Sequence, residues 1–194
     1  MQPMQPLQQH GIRSCFILLL VLLSLTTHAQ TLDFHLNNDA VSLDYTNRLT
    51  DSALNLGGGL LHHQDNGDAF YGSLFVADNI NKQSNLLAGV GGRLYYINTD
   101  SPDIKGATVS LGGFINYDIP SITNLSLRGE IYYAPDVLSF DDVEKNLDLS
   151  IRIQYRIIEQ AWVYLGYRNA EVSPVHGDNR TIDEGGHVGL MLWF

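Results

Sequence analysis

The sequence predicts an all-β protein: an antiparallel up-and-down transmembrane β-barrel, with ten strands favoured and eight as the alternative. Three observations predict it. The stretch LDLSIRIQYRI, 147–157, alternates without a break. Leu147, Leu149, Ile151, Ile153, Tyr155 and Ile157 fall on one face; Asp148, Ser150, Arg152, Gln154 and Arg156 fall on the other. A tilted strand crosses a bilayer in about 9–11 residues, and this segment has that length. The sequence closes on GLMLWF with no polar residue after Phe194, where a soluble domain usually frays into a polar tail. The start is laid out for export.

That start is read as a cleaved signal peptide over 1–29. Arg13 supplies the positive charge, FILLLVLLSL the apolar run, and Thr27-His28-Ala29 the small-x-small cleavage pattern, so the mature chain begins at Gln30. The run is too short to span a membrane as a helix. Cys15 precedes the apolar run, so it is no lipidation site, and it leaves with the leader. A mature chain without cysteine fits a bacterial envelope better than a disulfide-stapled secreted domain. Residues 30–194 suffice for one domain, the barrel itself. Arg13 is the leader's only charge, so the mature segment is one charge more negative than the net −10 of the whole chain. That excludes nucleic acid as a partner. No later stretch is apolar enough for a membrane helix, so any crossing must use strands.

The strands are expected at 31–37, 40–49, 53–62, 69–77, 86–98, 107–117, 125–133, 147–157, 161–169 and 187–194. The segment 69–77 has an ambiguous facing, because both faces carry aromatics. Connections alternate in length. Those at 50–52, 119–124 and 159–160 are short; those at 98–106, 135–146 and 170–186 are long and polar. Outer-membrane barrels have short periplasmic turns and longer outside loops. With a periplasmic C-terminus, 40–49 descends, and 31–37 is then needed as the first ascending strand. Parity therefore favours ten.

A soluble ligand-binding barrel would turn the same oily face inward. Two further features favour lipid outside. Aromatics on the oily face gather near strand ends: Phe70, Tyr96, Tyr133 and Tyr167 outside, Tyr45, Tyr117, Tyr155 and Phe194 at the periplasmic end. Belts at the two membrane interfaces produce that pattern. The polar face is charged but nearly balanced. Arg48, Arg93, Arg128, Arg152, Arg156 and Arg168 are opposed by Asp33, Asp44, Asp118, Glu130 and Asp148. Arginine's planar fork suits a packed polar interior, whereas Lys82, Lys105 and Lys145 all fall in connections. Inward glycines, including those of GVGGR (89–93), make room for the long side chains and form no phosphate loop, having no helix behind them.

The leader, the opening LDFHLNNDAVSLDYTNRL, the stretches GGGLLHH and AGVGGRLYY, and the end GLMLWF resemble the YfaZ family of outer-membrane proteins. More broadly the chain is similar to small OmpA- and OmpX-like barrels. The resemblance implies a porin-like, Gram-negative outer-membrane location, and brings no established activity onto any residue. Val188, Leu190, Leu192 and Phe194 at alternate positions resemble the signal by which the barrel-assembly machinery recognises its substrates.

No catalytic, cofactor-binding or metal-ligating residue is assigned. A lipid A deacylase of the PagL type would show His-x-Ser on a strand, and none occurs. His62 and His63 are adjacent and would point opposite ways; His35 and His187 face the expected lumen. The acidic loops, with Asp141, Asp142 and Glu144 in one and Glu171, Asp178, Asp183 and Glu184 in another, read first as a solvated, mutually repelling surface. Their second reading is a place where divalent cations bridge to lipopolysaccharide phosphates. The expected function is a small structural or interaction barrel with a plugged, charged lumen, its partners being outer-membrane lipid and lipopolysaccharide. Alternatives are a narrow ion or small-solute channel, then a lipopolysaccharide-modifying enzyme.

Overall fold

The computed structural model describes residues 30–50, 52–81, 84–100 and 103–194. The leader with Arg13, Cys15 and its cleavage pattern, and Lys82, lie outside the described residues. Eleven strands follow in order: β1 (Gln30–Leu36), β2 (Ala40–Arg48), β3 (Leu54–His63), β4 (Gly67–Asn79), β5 (Leu86–Asn98), β6 (Lys105–Asp118), β7 (Leu125–Ala134), β8 (Ser139–Asp141), β9 (Val143–Ile158), β10 (Ala161–Pro174) and β11 (Arg180–Trp193). Each wall strand pairs antiparallel with its neighbour, and β1 closes the circle on β11 from Thr31↔Trp193 to Leu36↔Val188. Gln30 and Phe194 exchange both backbone hydrogen bonds, at 2.8 and 3.0 Å, so both lie at one end of the barrel, here the terminal end.

Ten strands make the wall, as the parity of the sequence pattern requires. The three-residue β8 is an extra piece. It takes the place of β7 beside β6 at the far end: β6 pairs with β7 from Leu111 to Asp118 and with β8 from Gly106 to Thr108. A single 3-10 turn, Asp136–Leu138, lies between the two.

Alternation decides which face is which. On the row Leu127, Ile153, Leu165 and Val188, directly paired across four strands, every side chain points outward and is exposed; Leu165 is 62% exposed. Val90, Leu94, Leu111, Ile115 and Ile131 continue this apolar surface around the wall. A monomer in water seldom shows a contiguous apolar patch of more than a few hundred Å². A belt around a closed barrel is the outer surface that a bilayer requires. The ambiguous segment is settled: Tyr71, Ser73 and Phe75 face in, while Phe70, Leu74 and Val76 face out.

The turns use local chemistry. Asn37 Oδ1 accepts the backbone N–H of Asp39 (2.9 Å) and Ala40 (2.6 Å), closing the β1–β2 turn. Asn124 sits at φ 67°, a left-handed position asparagine tolerates, in the turn between β6 and β7. Gly67 at φ 108° starts β4, where backbone of Asn98 and Thr99 leaves no room for a Cβ.

The long polar loops expected at the far end are shorter than the sequence suggests. β10 and β11 run on past the apolar belt, leaving 175–179 as their connection, and β6 and β9 do the same. Where they extend, the facing continues in phase but the polarity of the two faces inverts. Ala170 and Val172 point in while Glu171 and Ser173 point out. Beyond the bilayer the outer face meets water, so the strand takes the pattern of a soluble barrel.

Candidate functional site

The lumen gathers the charges that alternation places inside. Arg128 Nη2 donates to Glu130 Oε2 (2.9 Å), and Arg93 Nη2 donates to Glu130 Oε1 (2.5 Å). Arg93 Nη1 also lies 3.4 Å from Asp148 Oδ2. Arg168 grips Asp148 with two parallel bonds, Nε to Oδ1 (3.0 Å) and Nη2 to Oδ2 (2.8 Å). This is the bidentate geometry that makes arginine–carboxylate pairs specific. The result is one ladder, Arg128–Glu130–Arg93–Asp148–Arg168, crossing from β7 through β5 and β9 to β10. Tyr95 adds its hydroxyl to Asp148 (2.7 Å). Arg93 stacks on Tyr132 (3.8 Å to the ring centre) and Tyr71 (4.5 Å).

A second group stands beside it. Arg152 Nη1 donates to Asp33 Oδ2 (2.5 Å), and the Tyr164 hydroxyl donates to Asp33 Oδ1. Tyr71 donates to Asp44. His35 and His187 meet with ring centres 4.5 Å apart, and Tyr164 stands edge-on to His187. Alternation placed both histidines inside but gave no sign of their meeting, because they come together only across the β1–β11 closure, where His35 faces Gly189. Glycines make the space. A Cβ on Gly89 would collide with the Phe114 ring, and one on Gly59 would lie 2.6 Å from the Tyr71 ring.

Arg156 does not join the network. Its guanidinium donates to Asn124 Oδ1 (3.2 and 2.8 Å) at the terminal end, exposed to water. It lies on the inward face, but beyond the last lumen carboxylate. Arg48 likewise donates to the Ser52 carbonyl at the mouth (2.9 Å), and Asp118 is exposed beside Asn116. Asp183 departs from expectation the other way. It is buried in β11, accepting from Asn37 Nδ2 (2.8 Å), and is not a loop acid. A bulge between Ala170 and Glu171 shifts the pairing with β11, so that Ile182 and Asp183 are both buried.

Of the expected belt residues, Phe70, Tyr96, Tyr133 and Tyr167 face out near the far end, with Phe70 directly opposite Tyr96. Tyr117, Tyr155 and Phe194 are exposed at the terminal end, and Tyr45, opposite Leu32, is half-buried there. Val188 and Leu190 lie on the same outer face of β11. His62 pairs with Asp68 (2.6 Å) at the far rim, while His63 accepts backbone N–H groups in its own turn.

Sequence reading missed what lies above the ladder. Leu61, Ala69, Ile97, Ile104, Val143, Ala170, Val172 and Ile182 converge with Tyr95 into one buried apolar cluster at the far end; Ile97 and Val172 are 0% exposed. Below it a cavity of about 350 Å³ opens toward the terminal end. Arg48, Asn55, Ala77, Leu87 and Trp193 line its mouth, and Arg93, Tyr132, Asp148 and Arg168 its floor. The apolar cluster thus packs directly on the ion-pair ladder, with Tyr95 belonging to both.

Among solved structures, the outer membrane channel DcaP of Acinetobacter baumannii is 12% identical with a TM-score of 0.45, over 88% of this chain and 55% of that one. This chain thus spans about half the length of that channel. A KdgM porin is 10% identical with a TM-score of 0.47, over 86% of this chain and 99% of that one. No curated protein matches the chain in sequence. The YfaZ precursor family model matches residues 10–194, the whole described barrel included, and the chain belongs to that family.

Proposed function

We propose that the protein is a non-conducting barrel of the bacterial outer membrane, inserted after its leader is cleaved, with the terminal end in the periplasm and the far end outside. Its role is structural or interactive rather than enzymatic, with lipid and lipopolysaccharide as the surroundings of its apolar belt. The carrying observation is what fills the lumen. The Arg128–Glu130–Arg93–Asp148–Arg168 ladder spans it, and the apolar cluster around Ile97 and Val172 seals it above. An ion crossing the barrel would have to separate paired charges and then pass a dry constriction, and both steps are costly.

Purified protein reconstituted into planar bilayers is expected to show no discrete openings. Steady openings would favour the second reading, a narrow channel, which the cavity reaching up to the ladder supports. Unheated protein in SDS is expected to migrate differently from boiled protein, as closed barrels do. Release from the envelope without detergent would remove the membrane reading altogether.

A further inference from the structure

The inward pair Arg128 and Arg152 sets two like charges side by side in the lumen. These residues stand directly opposite each other on β7 and β9. Side chains so placed begin about 5 Å apart, and like charges there repel. Nevertheless each guanidinium has one carboxylate bond, Arg128 to Glu130 and Arg152 to Asp33, and those two carboxylates are shared with Arg93 and Tyr164. Arg152 Nε is buried with no partner among the described residues. Arg152 Nη2 also reaches the Met191 sulfur, at 3.7 Å, but a guanidinium carries five N–H donors, and these bonds do not use all of them in either fork. Buried donors of this kind are usually satisfied.

Both arginines line the 350 Å³ cavity, and their planes are fixed by aromatic faces: Arg128 on Phe114 (3.7 Å) and Arg152 on Tyr164 (4.3 Å). Around them the lining is mixed, with Phe75, Trp193 and Met191 beside Ser73 and Ser150. The cavity falls at the small end of the range for ligand pockets, about 300–1,000 Å³. Five guanidiniums line it against four carboxylates, so the surplus charge is positive.

We propose that Arg128 and Arg152 form an anion clamp on the wall of a pocket entered from the terminal end, taking a small organic anion. One phosphate or carboxylate head bridges the two forks, and an apolar, ring-sized body lies toward Phe75 and Trp193. The bridging head supplies acceptors to both arginines and removes their mutual repulsion. The proposal rests on the reading of the lumen as a closed, non-conducting pocket.

The test is calorimetric titration of the full chain, purified from membranes in a non-ionic detergent, with phenyl phosphate. Inorganic phosphate and phenol serve as the head alone and the body alone. Phenyl phosphate is expected to bind once per barrel, inorganic phosphate more weakly, and phenol not measurably. Arg128→Gln and Arg152→Gln should each weaken phenyl phosphate by about tenfold or more, the worth of a charged hydrogen bond. Arg156→Gln, at the exposed mouth, should not. Where a variant fails to fold, labelling of wild-type protein with phenylglyoxal decides: phenyl phosphate should protect Arg128 and Arg152 selectively over Arg156. No binding, equal binding of phenol, or protection confined to Arg156 would overturn the clamp. A barrel silent in bilayers that binds no phenyl phosphate loses only the clamp, whereas a conducting barrel loses the closed-lumen reading on which it stands.

Discussion

Replacing Asp148 with alanine is expected to lower the stability of the barrel by about 3–5 kcal/mol, the cost of removing one partner from a buried ion pair. Asp148 accepts both prongs of Arg168, the Tyr95 hydroxyl and a longer bond from Arg93. Arg93 would keep Glu130, but Arg168, buried under the apolar cluster, would have no carboxylate left among the described residues. Asp148→Asn should fall between, since it keeps an acceptor oxygen and loses the charge. The control is Asp118→Ala, an exposed acid whose side chain accepts, among the described residues, from Asn116, where about 0.5 kcal/mol or less is expected. Urea unfolding in lipid vesicles, followed by the fluorescence of Trp162 and Trp193, gives the comparison. Equal midpoints for Asp148→Ala and Asp118→Ala would mean that the ladder contributes nothing.

Leu165→Arg addresses the other face. Leu165 is 62% exposed, mid-wall, between Ile153 and Val188. In lipid, arginine near the midplane of a barrel costs about 2–4 kcal/mol. In water the same change at so exposed a position would be almost neutral. A large loss measured in vesicles would confirm hydrocarbon outside the belt. An unchanged midpoint would argue that the belt meets water or another protein surface.

Alternation made most of the wall legible. Leu147 to Ile157 reads as a strand because lipid on one side and ion pairs on the other impose opposite chemistry on successive residues. What alternation cannot give is height. Arg156 follows Arg152 and Gln154 on the same face, yet it lies where the lumen opens to water, and nothing in the period distinguishes it. The apolar cluster escaped for a related reason. At 170–173 the inside residues are Ala170 and Val172 and the outside ones Glu171 and Ser173, the reverse of the pattern in the bilayer, so the segment looks like a polar loop. An inverted alternation continuing a strand in phase is the signal that could have found it. Asp183 was out of reach altogether, because a bulge resets the facing of β11 within one residue.

The closure between β1 and β11 has a consequence for fidelity. β1 spans only Gln30–Leu36, so backbone bonds alone would hold its alignment weakly. Yet Asp33 on β1 is claimed by Arg152 on β9 and Tyr164 on β10, and His35 by His187 on β11. A one-residue slip would turn Asp33 and His35 into hydrocarbon and bring Phe34 against the arginines. The seam therefore carries its own checksum: a barrel closed one step out of place pays at once on both faces, and only the correct closure is a resting place.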